Sequence, residues 1–219
     1  MIKIEKLEKF KEKIKGKLFF DHSLKKTNWF NIGGKTKVYV KPENLNELVL
    51  FLKEFRSIDK IFILGAGSNI LISDNLFDGA FIKLGKRFSN ISILPNNTIV
   101  SGSAVADKKL SEFASQNNIG GFEFLSCIPG TVGGGLRMNS GCFQNEFKDI
   151  LLSVQAIDKT GKIFTIPANK IKFRYRGNDL NKNLIFLSTS FKGKFMERNE
   201  IEKKIKFLKE KKEKAQPTK

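Results

Sequence analysis

Along the chain, apolar positions first recur at helical spacing at Ile4, Leu7, Phe10 and Ile14, a short amphipathic helix that Gly16 stops. "KVYVKP" predicts a strand closed by Pro42, and "ENLNELVLFLKEF" places Leu45, Leu48, Val49, Leu52 and Phe55 on one helical face. In "KIFILGAGSNILISDNLFDGAFIKL", Ile61 to Leu64 predict a buried strand, the glycines a tight turn and "ILIS" a second extended run. "TIVSGSAVADKKLSEFASQNNIGG" gives a further strand and a helix that stops at Asn118 or Gly120. Beyond a glycine-rich stretch, "LLSVQAIDKTGKIFTIP" predicts a hairpin turning at Thr160 and Gly161, and "LIFLSTSF" a last strand. A charged helix over 197–214 carries Ile201, Ile205 and Leu208 on one face. Strands and helices mix without strict βαβ alternation, which points to an α+β fold in two layers.

A length of 219 residues suffices for one sizeable core or two small layered subdomains. No apolar run reaches membrane-spanning length, and no signal-like segment follows the early lysines, so we expect a soluble cytoplasmic protein with no membrane partner. Two cysteines, Cys127 and Cys142, are too few for a disulfide framework or a metal site and are expected to be free thiols. The net charge of +18 raises nucleic-acid binding as a possibility. We discount it, because the lysines belong to a general Lys, Ile, Asn and Phe bias and are scattered, without interleaved aromatic residues for base stacking.

Two glycine-rich segments carry the candidate chemistry. Gly65, Ala66, Gly67, Ser68 and Asn69 begin like a dinucleotide fingerprint but lack the third glycine and the following helix, so a tight turn and a phosphate-binding loop both remain open. In "IPGTVGGGLRMNSG", residues 128–141, we expect Gly130, Gly133, Gly134 and Gly135 to allow positive φ and bring backbone amides close to an anion. Thr131, Asn139 and Ser140 add neutral hydrogen-bonding partners suited to a pyrophosphate and ribityl chain. His22 is the sole histidine, which excludes histidine triads and multi-histidine metal sites. A cofactor carrying its own reactivity, flavin above all, fits better.

Together "TNWFNIGG" (27–34), "LGAGSNILISD" (64–74), "GFEFLSCIPGTVGGGLRMNSG" (121–141) and "FRYR" (173–176) resemble the UDP-N-acetylenolpyruvoylglucosamine reductase family, also called UDP-N-acetylmuramate dehydrogenases. The form "GGGLRMNSG" is similar to the type II branch. The resemblance implies an FAD-binding fold of the vanillyl-alcohol-oxidase and p-cresol-methylhydroxylase type, with FAD between two subdomains over about 25–85 and 86–192. It would place a helical segment at 1–24 and a charged connector at 193–219, leading toward a C-terminal domain not found here. In that family a hydride passes from NADPH to FAD and then to C3 of UDP-N-acetylglucosamine enolpyruvate, while an acid protonates C2. The product, UDP-N-acetylmuramate, feeds peptidoglycan synthesis and so cell wall formation, cell shape and division.

By the same resemblance, Gly65 to Asn69 and Pro129, Gly130, Thr131, Gly133 and Gly134 would hold the pyrophosphate, and Asn139, Ser140 and Gly141 would line the flavin. Arg176 matches the catalytic arginine, and no metal is implied. Its planar, permanently charged fork suits a substrate carboxylate, in a chain with only six arginines. Tyr175 is read first as packing and second as substrate contact, and Arg137 as structural. The family's proton-donating serine and late glutamate have no counterparts, so an FAD-binding module without turnover of its own is the alternative.

Overall fold

The structure, a computed structural model, describes residues 4–216. Helix α1 (Ile4–Glu12), strands β1 (Lys17–Ser23) and β2 (Lys35–Lys41), helix α2 (Leu45–Glu54) and strands β3 (Ile61–Ile63) and β4 (Phe77–Ile82) build the first lobe. Its sheet runs β1-β2-β4-β3, with β1 antiparallel to β2 and β4 parallel to both β2 and β3. Asn44 caps α2 by accepting the Glu47 amide at 3.1 Å. The Glu47 carboxylate in turn accepts the amides of Lys15, Gly16 and Glu43, fastening the start of β1 to the helix. Val38, Val40, Ala80 and Ile82 meet Leu48, Phe51 and Leu52 of α2 in one core, with Phe10 of α1 edge-on to Phe51 and Phe55.

Strands β5 (Ile91–Leu94) and β6 (Thr98–Gly102), helix α3 (Asp107–Gln116), strand β7 (Ile119–Gly120), helix α4 (Val132–Arg137), strands β8 (Gly141–Cys142) and β9 (Asn145–Glu146), and helix α5 (Phe147–Ile150) follow. Then come β10 (Leu151–Ile157), β11 (Ile163–Pro167), β12 (Phe173–Arg174), β13 (Gly177–Asn178), β14 (Ile185–Lys192), β15 (Lys194–Phe195) and helix α6 (Arg198–Ala215). Five of these strands form an antiparallel sheet in the order β11-β10-β14-β6-β5. Its core is built around Phe122, Phe124, Phe147 and Phe191, packed edge to face at 5.8–6.3 Å. Ile157, Ile185 and Leu187 of this sheet join the first lobe's core, so the lobes share apolar packing.

Several expectations need correction. "ILIS" is not a strand: Ile70 and Ile72 pack as loop residues against Tyr39, Leu64 and Phe81, and the next strand is β4. Phe62 is 38% exposed, so β3 is an edge strand, not a buried one. Residues 17–23, placed in a helical segment, form β1 because Leu18 faces the core while its neighbours are exposed. "VGGGLR" is helix α4, and Gly130, Gly133, Gly134 and Gly135 all lack positive φ, which among the glycines occurs instead at Gly33, Gly67, Gly121 and Gly161. The side chains of Ile4 and Leu7 and the connector's residues 217–219 lie outside the described residues.

Candidate functional site

The two glycine segments meet. Ser68 Oγ donates to the Pro129 carbonyl, and a Cβ on Gly65 would stand 2.7 Å from Thr131 Oγ1. Gly67, at φ +72°, lies against the Thr27 carbonyl and Asn28, and its own carbonyl accepts the Trp29 amide at 3.0 Å. Asn28 is buried and closes its own loop, donating to the Leu24 and Ile32 carbonyls and accepting the Phe30 amide. "TNWFNIGG" therefore acts here as the brace for Gly65 to Asn69.

What this junction offers a ligand is backbone N–H. Among the described residues, the amides of Ala66, Gly67, Ser68, Asn69, Thr131 and Gly134 donate to no protein acceptor. Backbone donors rarely stay unpaired without a partner from solvent or a ligand, and a cluster of them makes an anion-binding concavity. The cradle thus fits a pyrophosphate without a lysine. Gly133 is not one of these donors, because its amide bonds to the Ser103 carbonyl at 2.9 Å. A Cβ on Gly135 would come within 2.4 Å of the Phe147 ring, so this glycine lets α4 approach the core.

The other end of α4 carries the second half of the site. Asn139, 1% exposed and at φ +41°, donates to Glu146 Oε2 at 3.0 Å and to the Arg174 carbonyl at 3.3 Å. Its Oδ1 accepts the Lys148 amide at 3.1 Å. Strands β8 and β9 form a hairpin whose two turn residues, Phe143 and Gln144, both have positive φ. β12 and β13 form a second hairpin with Tyr175 and Arg176 at its tip. Arg176, at φ +57°, reaches across so that Nη1 donates to the Gly141 carbonyl at 3.4 Å. A cavity of about 350 Å³ lies between the hairpins, lined among others by Gly141, Glu146, Lys148, Tyr175 and Arg176. Ser140 is held through its backbone, between Gly135 and Phe147.

Tyr175 corrects the packing expectation: it is 81% exposed, with the Arg176 guanidinium 5.2 Å from its ring. Arg137 is structural, donating to the carbonyls of Leu180, Asn181 and Leu184 and lying 4.2 Å from the Phe186 ring. Both cysteines are free; burial first, then the adjoining Cys127, pushes the Cys142 thiol up to about 11. Sequence reasoning missed Glu146 and Asp107. The signal for Glu146 was a capping box with Asp149 ahead of the apolar run at 150–152; Asp107 carried none, being an acid on the buried side of α3. No helix among the described residues is long and apolar enough to cross a membrane, and no group of three or more potential metal ligands occurs there.

Comparison with known proteins bears on the fold and the family. Residues 36–167 match the FAD binding domain family. UDP-N-acetylenolpyruvoylglucosamine reductase of Pelagibacter ubique is 65% identical over 216 residues, covering 99% of this chain and 72% of the relative. The Rickettsia canadensis protein of the same name is 44% identical over 179 residues, 82% of this chain and 60% of that one. This chain therefore spans between three-fifths and three-quarters of these relatives' length. The crystal structure of UDP-N-acetylenolpyruvylglucosamine reductase from Thermus caldophilus superposes with a TM-score of 0.80 at 24% identity, over 94% of this chain and 72% of that one. Alkyldihydroxyacetonephosphate synthase, at 0.60 and 16%, shares the fold alone. The fold is thus the FAD-binding α+β fold of the vanillyl-alcohol-oxidase type. With two-thirds identity to a curated relative along nearly its whole length, the chain belongs to the UDP-N-acetylenolpyruvoylglucosamine reductase family of FAD-dependent oxidoreductases.

Proposed function

We propose that this chain reduces UDP-N-acetylglucosamine enolpyruvate to UDP-N-acetylmuramate, with NADPH as hydride source, as a cytoplasmic step of peptidoglycan precursor synthesis. The observation that carries the proposal is the meeting of two loops with unpartnered amides at one end of α4 and an exposed arginine over Gly141 at the other. We assign residues 25–192 to FAD binding. Ala66 to Asn69, Thr131 and Gly134 hold the pyrophosphate through their amides, and Asn139 to Gly141 line the flavin. Bound there, FAD supplies the hydride chemistry. Arg176 holds the substrate carboxylate, and its fixed positive charge stabilises the enolate character that develops as hydride adds to C3, with solvent water supplying the proton that C2 then takes up. Tyr175, exposed beside it, contacts the substrate.

The test is FAD titration of the purified chain, followed by NADPH oxidation with the enolpyruvyl nucleotide and product identification by mass. We expect FAD to bind without a covalent link and Arg176→Ala to keep FAD while losing about 10²- to 10³-fold in rate. Product formed equally fast by Arg176→Ala would overturn the arginine's role. FAD binding with no product would favour a cofactor-binding module.

A further inference from the structure

Arg176 is poorly restrained by its own contacts. It sits on an exposed two-residue turn, makes one long hydrogen bond to the Gly141 carbonyl, and takes part in none of the salt bridges among the described residues. A long, rotamer-rich side chain in that state samples many directions, whereas carboxylate capture needs one. Glu146 supplies the missing direction. It lies opposite Gly141 in the β8–β9 hairpin and lines the same cavity as Arg176. The carboxylate is itself fixed, with Oε2 accepting from Asn139 Nδ2 at 3.0 Å and pairing with Lys148 Nζ at 2.7 Å. Through the Asn139 bond to the Arg174 carbonyl, the same residue ties the Glu146 hairpin to the Arg176 hairpin. Lys148 occupies Glu146 Oε2, so the arginine fork is left open for a ligand.

We propose that Glu146, held by Asn139 and Lys148, is a positioning residue whose negative charge aims the Arg176 guanidinium into the cavity for a carboxylate ligand. This rests on the assignment of Arg176 as the carboxylate-binding group. Electrostatics agrees: the Lys148 hydrogen bond chiefly, with help from Asn139 and the charge of Arg176, holds the Glu146 carboxyl below its ordinary range. A purely structural role would be capping of α5, where Glu146 and Asp149 exchange backbone bonds. Glu146→Gln separates the two roles, because the amide oxygen can still accept while the charge is gone.

The experiment labels the FAD-loaded protein with phenylglyoxal, which attacks uncharged guanidine, and follows Arg176 and Arg174 separately by peptide mass. A guanidinium drawn toward a carboxylate is less available to the reagent, so Glu146→Gln should speed labelling of Arg176 at least threefold while Arg174, on the same hairpin, stays at the wild-type rate. Lys148→Met releases Glu146 toward Arg176 and should slow that labelling. In turnover, kcat/KM should fall at least tenfold in Glu146→Gln and recover to within threefold in Glu146→Asp. An unchanged Arg176 rate in Glu146→Gln, or faster labelling in Lys148→Met, overturns the inference. If labelling shifts as expected but wild-type protein forms no product, the positioning role stands and the proposed reaction fails.

Discussion

Asp107 stands at the first turn of α3, wholly buried, and among the described residues neither carboxyl oxygen has a hydrogen-bond partner. Burial pushes this carboxyl up to about 8. An unfolded aspartate titrates near 3.9, so between about pH 4 and 8 the folded state holds a proton that the unfolded state lacks. Stability therefore falls as pH rises through that window, by about 1.4 kcal/mol per unit for this group, and levels off above it. Asp107→Asn imitates the neutral form, and urea melts should show it gaining on wild type at pH 8 and matching it near pH 4. A variant that loses stability equally at both values contradicts the account. The residue also shapes the loop ahead of α4, because a Cβ on Gly130 would stand 2.6 Å from Asp107 Oδ2 and the Asp107 amide donates to the Gly130 carbonyl.

Glycine means different things within α4. Gly135→Ala drives a methyl into the Phe147 ring and should cost about 1–3 kcal/mol, as overpacking does. Gly134→Ala meets only Thr131 Oγ1 at 3.5 Å, an ordinary contact, and helix propensity favours it by up to about 1 kcal/mol. Thermal melts of the FAD-free protein should therefore separate the two variants in opposite directions, while FAD titration should find Gly134→Ala weaker, its methyl crowding an unpartnered amide. Equal melting temperatures would show that the Phe147 contact does not limit this helix. The same elements show how far the sequence could be read. Periodicity sufficed for α2, α3, β2, β10, β11 and β14, whose apolar positions supply the separate cores of the two lobes. It put the second strand at "ILIS" instead of β4, whose run is interrupted by Asp78 and Gly79; Gly79 is there because the Lys60 carbonyl would lie 2.3 Å from a Cβ. It failed again at α4, where Gly133 and Gly135 serve packing against Ser103 and Phe147 that only the tertiary fold reveals. Motif resemblance singled out Gly65 to Asn69, Pro129 to Thr131 and Arg176 as candidates, but the Asn139–Glu146–Lys148 network joins residues whose proximity depends on a two-residue turn.

At the scale of the molecule, a net charge of +18 is distributed over a chain with six described ion pairs, all of them lysine or arginine with a carboxylate at least partly exposed. Such pairs contribute little, and the compact state carries the self-repulsion. Raising sodium chloride from about 20 to about 300 mM shortens the screening length severalfold and should raise the melting temperature by a few degrees. Calorimetry showing a decrease would mean that the ion pairs outweigh the repulsion. Sheet order has a consequence in time. Thr98 pairs with Lys192 and Gly102 with Ser188, so β6 leaves the ribosome roughly 90 residues ahead of its partner, about 5–20 s at ordinary synthesis rates. Both glycine loops are translated within or before that interval, yet the carbonyls that anchor Arg137, at Leu180, Asn181 and Leu184, arrive only at its end. Until translation has passed β14, the nascent chain thus carries an α4 without its Arg137 anchor and an open strand edge together.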